Sequence, residues 1–310
     1  MGYSAVLLAA GGNHILFGDK RHNIRQNLQS AILQCYKRIK TAMRQKHGQN
    51  FLTDLNIANK IVGAAQLSPN DSVVEIGPGK GVLTKLIQPL VNSLTAVEID
   101  KILAGQLKNY YAFHNINNVE IINEDFLKLI QIKTGEACCE LSQIKTGAAC
   151  VKFISNLPYN VGTAIIQKIL PLPNWTTAVF MLQKEVIQRL AATPGAKEYG
   201  YISIFTQFYA QPQILFDVSP KCFTPAPKVM SSVIKLTKLN SAKPDERFFP
   251  FIKHAFSMRR KTILNSLSSF LNIEKSAAAE ILQACKTDPQ IRPEKLTLSD
   301  FKNICSNLPS

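Results

Sequence analysis

The sequence has no uninterrupted apolar run that approaches the roughly 18 residues needed to cross a bilayer, so it predicts no transmembrane segment. An early apolar stretch, residues 4–10, is short and follows no basic segment, so we expect no secretory signal. The sequence also lacks CxxC pairs and Cys/His spacings that suit zinc, and we predict no metal site. Its 7 cysteines, an odd count, are typical of free thiols in a reducing cytosol, and we expect a cytoplasmic protein.

Acidic residues are scarce as well. There are 21 Asp and Glu against 36 Lys and Arg, which gives a net charge of +15. This excess predicts a polyanionic partner, either nucleic acid or an anionic membrane surface, although a merely basic soluble protein has the same composition. At 46% hydrophobic residues the chain can bury a sizeable core, which excludes wholesale disorder. A length of 310 residues suggests about two domains.

The first 42 residues differ from the rest of the chain. They are basic, poor in acids and weakly patterned, apart from a possible helix around residues 29–43. A transit peptide has this composition and would imply an organelle. We favour the alternative that translation begins at Met43, because every interpretable motif lies after that residue.

Beyond residue 56, apolar runs rich in β-branched residues alternate with stretches of helical period. Alternation of this kind predicts an α/β fold with a parallel sheet covered by helices on both faces. Ligands of such sheets bind at the carboxyl edge of the strands. The predicted strands are residues 73–76, 94–99, 119–122 and 151–154, and the first two helices are residues 82–90 and 102–110.

After residue 238 the strand signal stops, and a linker-like segment, residues 240–244, follows. We predict three parts: an extension over residues 1–42, a Rossmann-like domain over 43–240, and a small all-helical domain over 241–310. The helical periods in this last part cover residues 248–271, 276–284 and 300–307.

A local duplication lengthens one predicted loop. Residues 131–138 recur with one change at residues 143–150. Two copies are too few for a repeat fold, so we interpret the duplication as an extended surface loop.

A glycine-rich turn, Gly-Pro-Gly-Lys-Gly at residues 77–81, joins the first predicted strand to a helix. Glycines at such a turn let the backbone approach a ligand closely. The next strand ends at Glu98, 21 residues after Gly77, where a carboxylate can accept both hydroxyls of a ribose. The pattern is GxGxG rather than GxGxxG, which suits S-adenosylmethionine because that cofactor has no pyrophosphate. A purely structural turn remains open on this motif alone.

Asp125 follows the third predicted strand. Its carboxylate can accept a hydrogen bond from the exocyclic amine of an adenine ring, with Phe126 or Ile99 beside the ring. The same residue type at this place is also a common helix N-cap.

The sequence Asn-Leu-Pro-Tyr at residues 156–159 follows the fourth predicted strand. The amine of adenine is a poor nucleophile, because its lone pair is delocalised into the ring. The side-chain oxygen of Asn156 and the backbone carbonyl of Leu157 can accept the amine hydrogens and draw the nitrogen toward tetrahedral geometry. Pro158 fixes the turn, and Tyr159 offers a ring face on which a base can stack. The turn therefore indicates methyl transfer to adenine, without a strong general base.

These motifs resemble those of the small-subunit ribosomal RNA adenine dimethyltransferase family. Six segments match in the same order, from about Arg44 to the C-terminus: residues 47–54, 74–79, 156–160, 181–186, 223–229, and 256–262 with 265–267. The resemblance implies a class I S-adenosylmethionine-dependent methyltransferase fold. It also implies dimethylation of two adjacent adenosines in the hairpin loop near the 3′ end of small-subunit rRNA, and a part in small-subunit biogenesis.

The resemblance also implies roles for individual residues. Three of them, Asn156, Leu157 and Tyr159, are expected at the target amine, with Phe223 as a second aromatic that closes on the base. The implied cofactor contacts are Asn50, Leu52, Gly77, Glu98, Asp125 and Asn156.

A basic triplet, Arg259, Arg260 and Lys261, is expected to contact rRNA phosphates from one face of a helix that also carries Lys253 and His254. The triplet can equally be an ordinary solvated surface. One departure from the family pattern bears on RNA binding: Tyr201 stands where the family commonly has Arg.

Other functions share some of these motifs. A large-subunit rRNA adenine methyltransferase has the same cofactor motifs, but residues 256–267 resemble the small-subunit branch. A DNA adenine methyltransferase more often has Pro-Pro in the 156–159 turn, so we expect no DNA substrate. A non-catalytic assembly or transcription factor on this fold would have degenerate cofactor residues, and Gly77, Glu98, Asp125 and Asn156 are all suitable. We expect a monomer that binds small-subunit rRNA and no membrane.

Overall fold

A computed structural model describes residues 50–129, 150–241 and 243–309, which belong to one compact unit, residues 49–310. The nine strands are β1 (Phe51–Leu52), β2 (Ser72–Ile76), β3 (Ser93–Val97), β4 (Val119–Ile122), β5 (Val151–Asn156), β6 (Trp175–Gln183), β7 (Ala210–Val218), β8 (Phe223–Thr224) and β9 (Ser231–Lys238) in the described ranges. The α-helices there are α1 (Leu55–Ala64), α2 (Val82–Ile87), α3 (Lys101–Phe113), α4 (Phe126–Leu129), α5 (Gly162–Ile169), α6 (Lys184–Leu190), α7 (Tyr201–Tyr209), α8 (Phe248–Ser257), α9 (Ile263–Leu271), α10 (Lys275–Ala284) and α11 (Leu298–Ser306).

Seven strands form one sheet in the order β4-β3-β2-β5-β6-β9-β7. The four strands predicted from the sequence are β2, β3, β4 and β5, and they pair in parallel. The prediction of an α/β fold with helices around a sheet is therefore confirmed. The carboxyl ends of these strands meet at one edge, where the motif-bearing loops begin.

The sheet is mixed rather than wholly parallel, which corrects the sequence-based prediction. Strand β9 runs antiparallel to β6, and β7 runs antiparallel to β9. Because β9 is reversed, its first residue, Ser231, lies opposite Gln183 at the carboxyl end of β6. The first residues of β9 therefore lie at the same edge of the sheet as the carboxyl ends of the parallel strands.

Both faces of the sheet are covered. All five residues of β2 are buried, and neighbours along the strand point to opposite faces. Val74 belongs to an apolar cluster with Phe153, while Val73 belongs to another with Ile61. This two-sided burial explains the continuous apolar runs of the sequence.

After residue 243 the described chain forms helices and no strand, as predicted. Their core includes Phe251, Leu267 and Phe301, and it continues onto α7. The ring of Phe208 lies 5.2 Å from that of Phe248, and the ring of Phe205 lies 4.7 Å from that of Phe249. The helical part and the sheet part therefore share an aromatic seam, and the domain boundary near residue 240 remains a prediction.

Tyr201 lies in this seam. Its ring is 5.7 Å from that of Phe205 and 6.3 Å from that of Phe249. Burial raises the pKa of its phenol. The Tyr201 side chain therefore packs between the sheet part and the helical part.

The predicted continuous helix over residues 248–271 is wrong. It is divided into α8 and α9, and α9 begins after Thr262, whose side chain caps the helix by accepting from the Asn265 N–H at 3.5 Å. Both helices bury their apolar faces in the same core, so the apolar period continues across the break. The basic triplet 259–261 lies in the turn and does not share a helix face with Lys253 and His254.

Two predicted features fall on residues outside the described ranges. Residues 1–49 and the main part of the duplicated loop, residues 130–149, lie outside the described residues. The four cysteines that are described, Cys150, Cys222, Cys285 and Cys305, are free thiols. Among the described helices, none has the length and apolarity required to cross a membrane.

Candidate active site

The loop of residues 77–81 lies between β2 and α2, at the carboxyl edge of the sheet. Gly77, Gly79 and Gly81 have φ values of 66°, 58° and 75°, a region that side chains with a Cβ rarely adopt. A Cβ on Gly81 would lie 2.6 Å from Leu107, and one on Gly79 would lie 3.0 Å from the Phe51 ring. Backbone conformation therefore favours glycine at all three positions, and limited space favours it at Gly79 and Gly81 as well.

Glu98 holds this loop in place. Its side chain is 2% exposed, and Oε2 accepts a hydrogen bond from the Gly79 N–H at 2.9 Å. The other oxygen, Oε1, accepts from the Asp100 N–H at 2.9 Å. The carboxylate thus joins the glycine loop to the end of β3, where sequence analysis places a ribose contact.

A second buried acid, Glu75, lies on β2 below the loop. It is 2% exposed, and its Oε2 has no hydrogen-bond partner among the described residues. Burial, assisted by the nearby negative charge of Glu98 and opposed by the Thr84 hydroxyl, raises the pKa of Glu75 to about 8. Glu75 lies in the segment 74–79 that resembles the family, but no role was predicted for it. An acid within an apolar strand is a signal that could have been used.

Asp125 lies at the N-terminus of α4 and is partly buried. Its Oδ1 accepts from the Leu127 N–H at 3.0 Å, so the helix-cap interpretation holds in this structure. Oδ2 takes no hydrogen bond from the described residues. Beside it, the Asn123 side chain donates to the Glu98 carbonyl at 2.8 Å and ties the ends of β3 and β4 together, a role that sequence analysis missed.

Asn156 ends β5 and contacts the segment before β1. Its Nδ2 donates to the Asn50 carbonyl at 3.2 Å, across 106 residues of sequence. A carbonyl can only accept, so this bond fixes the orientation of the amide. The side-chain oxygen of Asn156 is then left as an acceptor, and no described residue donates to it.

The turn after β5 is anchored from below. The Ser155 hydroxyl donates to the Ile76 carbonyl, and the Leu157 N–H donates to the Met181 carbonyl at 3.1 Å. The Leu157 side chain is buried, whereas its carbonyl accepts no hydrogen bond from the described residues. Two acceptors, Asn156 Oδ1 and the Leu157 carbonyl, are therefore adjacent on a rigid turn.

Tyr159 follows on the same turn and is half-buried. Its hydroxyl lies 2.5 Å from the hydroxyl of Ser231, 72 residues away. Burial raises the pKa of the phenol, and the hydrogen bond to Ser231 opposes that effect. Sequence analysis placed Tyr159 at the site but missed Ser231, which has no local sequence signal.

Phe223 and Leu52 pair across a two-stranded ribbon formed by β1 and β8. Both side chains are nearly fully buried, Phe223 at 3% exposure, in the apolar cluster that contains Ile61. The Cys222 carbonyl accepts from the Thr53 N–H at 2.8 Å. The ribbon therefore brings the segment after Asn50 beside Phe223.

The basic triplet is exposed in the turn between α8 and α9. Arg259 donates to the Lys197 carbonyl at 3.4 Å, on the segment before α7. The triplet therefore belongs to the helical part. The other predicted site residues lie at the carboxyl edge of the sheet or in the β1–β8 ribbon that contacts it.

Solved structures share this architecture. The crystal structure of a dimethyladenosine transferase from Plasmodium falciparum is similar with a TM-score of 0.68, at 24% identity, over 82% of this chain and 95% of that chain. That of the 23S rRNA methyltransferase ErmE is similar with a TM-score of 0.63, at 23% identity, over 84% of this chain and 99% of that chain. At these identities the likeness concerns the fold, which is that of a class I S-adenosylmethionine-dependent methyltransferase.

Sequence similarity identifies the family to which the chain belongs. The model of the family described as ribosomal RNA adenine dimethylase matches residues 40–304. Among curated proteins, the chain is 44% identical to a ribosomal RNA small subunit methyltransferase A of Alkaliphilus oremlandii, over 84% of this chain and 90% of that protein. It is 39% identical to the protein of the same name from Aster yellows witches'-broom phytoplasma, over 84% and 94%. The chain belongs to the ribosomal RNA adenine dimethylase family, and it is an rRNA methyltransferase that uses S-adenosylmethionine.

Proposed function

We propose that this enzyme transfers methyl groups from S-adenosylmethionine to N6 of two adjacent adenosines in the 3′-terminal hairpin loop of small-subunit rRNA, giving N6,N6-dimethyladenosine. One observation carries the proposal. Asn156 Oδ1 and the Leu157 carbonyl are two neighbouring acceptors on an anchored turn at the carboxyl edge of the sheet, and no described residue occupies them.

The residues present fit S-adenosylmethionine. Gly77, where an added Cβ would meet only Pro158 at 3.8 Å, leaves the loop backbone open to close approach, and Gly79 and Gly81 allow the turn that presents it. Glu98, fixed at the end of β3, is the ribose contact, and Asp125 Oδ2 is an acceptor for the adenine amine of the cofactor. Asn50, Leu52 and Gly77 line the same site, together with Asn156.

The proposed chemistry depends on positioning. When bound, S-adenosylmethionine supplies an electrophilic methyl group on a sulfonium that departs as a neutral thioether. Asn156 Oδ1 and the Leu157 carbonyl accept the two N6 hydrogens of the target adenine and turn the nitrogen lone pair away from the ring system. Holding the two reactants in line is the main contribution of such a site to the rate, and the methylated amine is acidic enough to lose its proton to water.

The target base must leave its stack to reach these acceptors. Tyr159 supplies a ring face for it, and Phe223 supports the pocket from the apolar side. A hairpin loop is a suitable substrate, because a base can be splayed out of it without breaking a duplex. Arg259, Arg260 and Lys261 are exposed cations that contact rRNA phosphates in this proposal.

The cellular setting of the proposal follows from this substrate. The enzyme works in the cytoplasm as a monomer on the precursor of the small ribosomal subunit, and it contributes to the biogenesis of that subunit. We propose no membrane and no DNA among its partners, since rRNA is a polyanion of the kind that the excess of Lys and Arg predicts.

The test uses tritiated S-adenosylmethionine and small ribosomal subunits from a strain that lacks its own dimethyltransferase. We expect label in N6,N6-dimethyladenosine near the 3′ end of the rRNA, and loss of that label with Asn156→Ala. Binding of the subunits without transfer would overturn the proposal in favour of an assembly factor. A parallel reaction receives large ribosomal subunits, and label in their rRNA alone would assign the enzyme to the other branch of rRNA adenine methyltransferases.

A further inference from the structure

Ser231 is held firmly by its surroundings. It is the first residue of β9, is 0% exposed, and its backbone is paired on both sides, with Gln183 of β6 and Val218 of β7. The carbonyl of the preceding residue, Met230, accepts from the Lys184 N–H at 3.0 Å. The hydroxyl of Ser231 is therefore a fixed point at the carboxyl edge of the sheet.

Tyr159 is in the opposite situation. It lies after Pro158 on a turn, is only half-buried, and carries the phenol at the end of a side chain with two rotatable bonds. Among the described residues, the Tyr159 hydroxyl forms a hydrogen bond with the Ser231 hydroxyl, at an oxygen–oxygen distance of 2.5 Å. A short hydrogen bond between two hydroxyls fixes direction as well as distance. Without it, the ring would be free to turn about the bonds that join it to the backbone.

We propose that Ser231 is a positioning residue, which orients the Tyr159 ring so that the target adenine stacks with its N6 at the acceptors of Asn156 and Leu157. The idea depends on the proposed function, in which Tyr159 receives the base. Ser231 itself is 0% exposed, so in this proposal it acts through the Tyr159 hydroxyl and not by touching base or cofactor. Its effect is therefore on the geometry of transfer rather than on cofactor binding.

A matched control is the next residue in the chain. Ser232 is also buried, at 1% exposure, and its hydroxyl donates to Asp217 at 2.5 Å instead of to Tyr159. Ser232→Ala removes the same group from the same strand. A loss of activity that belongs to Ser231→Ala but not to Ser232→Ala cannot come from a general loosening of β9.

The kinetic test compares Ser231→Ala, Tyr159→Phe and the double variant on small ribosomal subunits. We expect each single variant to lower kcat about tenfold, with little change in the Kd for S-adenosylmethionine, because a misplaced reactant loses rate more than binding. The double variant should be no slower than either single variant, since both remove one bond. Independent, multiplied losses would overturn the proposal, and so would a wild-type kcat for Ser231→Ala. If Ser231→Ala does not fold, Tyr159→Phe breaks the same bond from the other side.

A second readout does not need activity. With 3-fluorotyrosine incorporated, the ¹⁹F resonance of residue 159 is identified by its loss in Tyr159→Phe. We expect Ser231→Ala to shift and narrow this resonance as the ring gains motion, and Ser232→Ala to leave it unchanged. An unaltered resonance in Ser231→Ala would contradict the positioning role. Suppose that Ser231→Ala changes the resonance but the wild-type enzyme transfers no methyl group to small subunits. Ser231 would then still position the Tyr159 ring, and the proposed function would be overturned instead.

Discussion

The proposed site has two halves that are built differently. The cofactor half, meaning the 77–81 loop with Glu98 and Asp125, follows three parallel strands that are adjacent in the sheet. The base half, meaning the 156–159 turn with Phe223 and Ser231, gathers residues from β5, β8 and β9. Its bonds cross long stretches of chain, 72 residues between Tyr159 and Ser231 and 106 between Asn156 and Asn50. Local sequence is therefore sufficient for the first half, whereas the second depends on how the antiparallel strands are placed.

The two halves also differ in electrostatics. The cofactor half buries two acids, Glu75 and Glu98, whereas the base half uses neutral hydroxyl, amide and carbonyl groups. This suits the chemistry, because the Glu98 carboxylate favours a cationic cofactor, whereas Glu75 keeps its proton up to a pKa of about 8 and a neutral amine needs only acceptors. Substitutions in the two halves should then affect different measured quantities: binding of the cofactor in one, rate of transfer in the other.

The largest expected effect comes from Asn156→Ala in the base half. Removing the amide deletes one acceptor and its bond to Asn50, and we expect methyl transfer to fall about 100- to 1,000-fold, as for other preorganised hydrogen-bonding groups. The rate is measured with tritiated S-adenosylmethionine at saturating cofactor. Asn160→Ala, in the same turn but exposed, is the control. Equal losses in both variants would show that the turn is merely fragile.

The next effect concerns pH and the cofactor half. Glu75 keeps its proton in the folded state up to a pKa of about 8, whereas an unfolded glutamate loses it near 4.5. Between these values a rise in pH favours the unfolded state by about 1.4 kcal/mol per unit. From pH 5 to pH 7, wild type should therefore lose up to about 3 kcal/mol relative to Glu75→Gln, which has no proton to lose. Denaturant unfolding at both pH values measures this, and a constant difference would contradict it.

A smaller change is expected for Glu98→Gln. The amide can still accept with its oxygen, but its nitrogen cannot accept from Gly79 or Asp100, so the loop loses one of two anchors. We expect the Kd for S-adenosylmethionine to rise about 10- to 100-fold, which corresponds to one charge-assisted hydrogen bond. Calorimetric titration gives the Kd, with Glu120→Gln on the exposed face of β4 as control. If instead kcat fell with Kd unchanged, the assignment of cofactor binding to one half and of transfer rate to the other would be wrong.

The smallest effects separate two glycines outside both halves. A Cβ on Gly162, at the start of α5, would lie 2.1 Å from Leu182, so Gly162→Ala should destabilise the fold by about 1–3 kcal/mol through overpacking. Gly63 in α1 has open space around it, and Gly63→Ala should stabilise by up to about 1 kcal/mol. Thermal unfolding of the pair measures both. Shifts of the same sign would contradict the packing described around α5.

Sequence reasoning reached the cofactor half in some detail because each of its motifs directly follows a strand. The four predicted strands are present, and the loop and Glu98 lie at their ends. It missed β6, β7 and β9, and so it missed Ser231, whose partner Tyr159 is 72 residues away. It also joined α8 to α9, since an apolar period does not reveal a cap at Thr262. The roles assigned to individual site residues remain predictions.

The short segment of residues 50–52 has contacts in both halves. The Asn50 carbonyl accepts from Asn156, the Phe51 ring lies against Gly79, and Leu52 pairs with Phe223. A ligand that orders this segment in one half lowers the entropic cost of ordering it for the other. By thermodynamic linkage any such benefit is reciprocal: a factor by which one ligand tightened binding of the other would have to be the same in both directions.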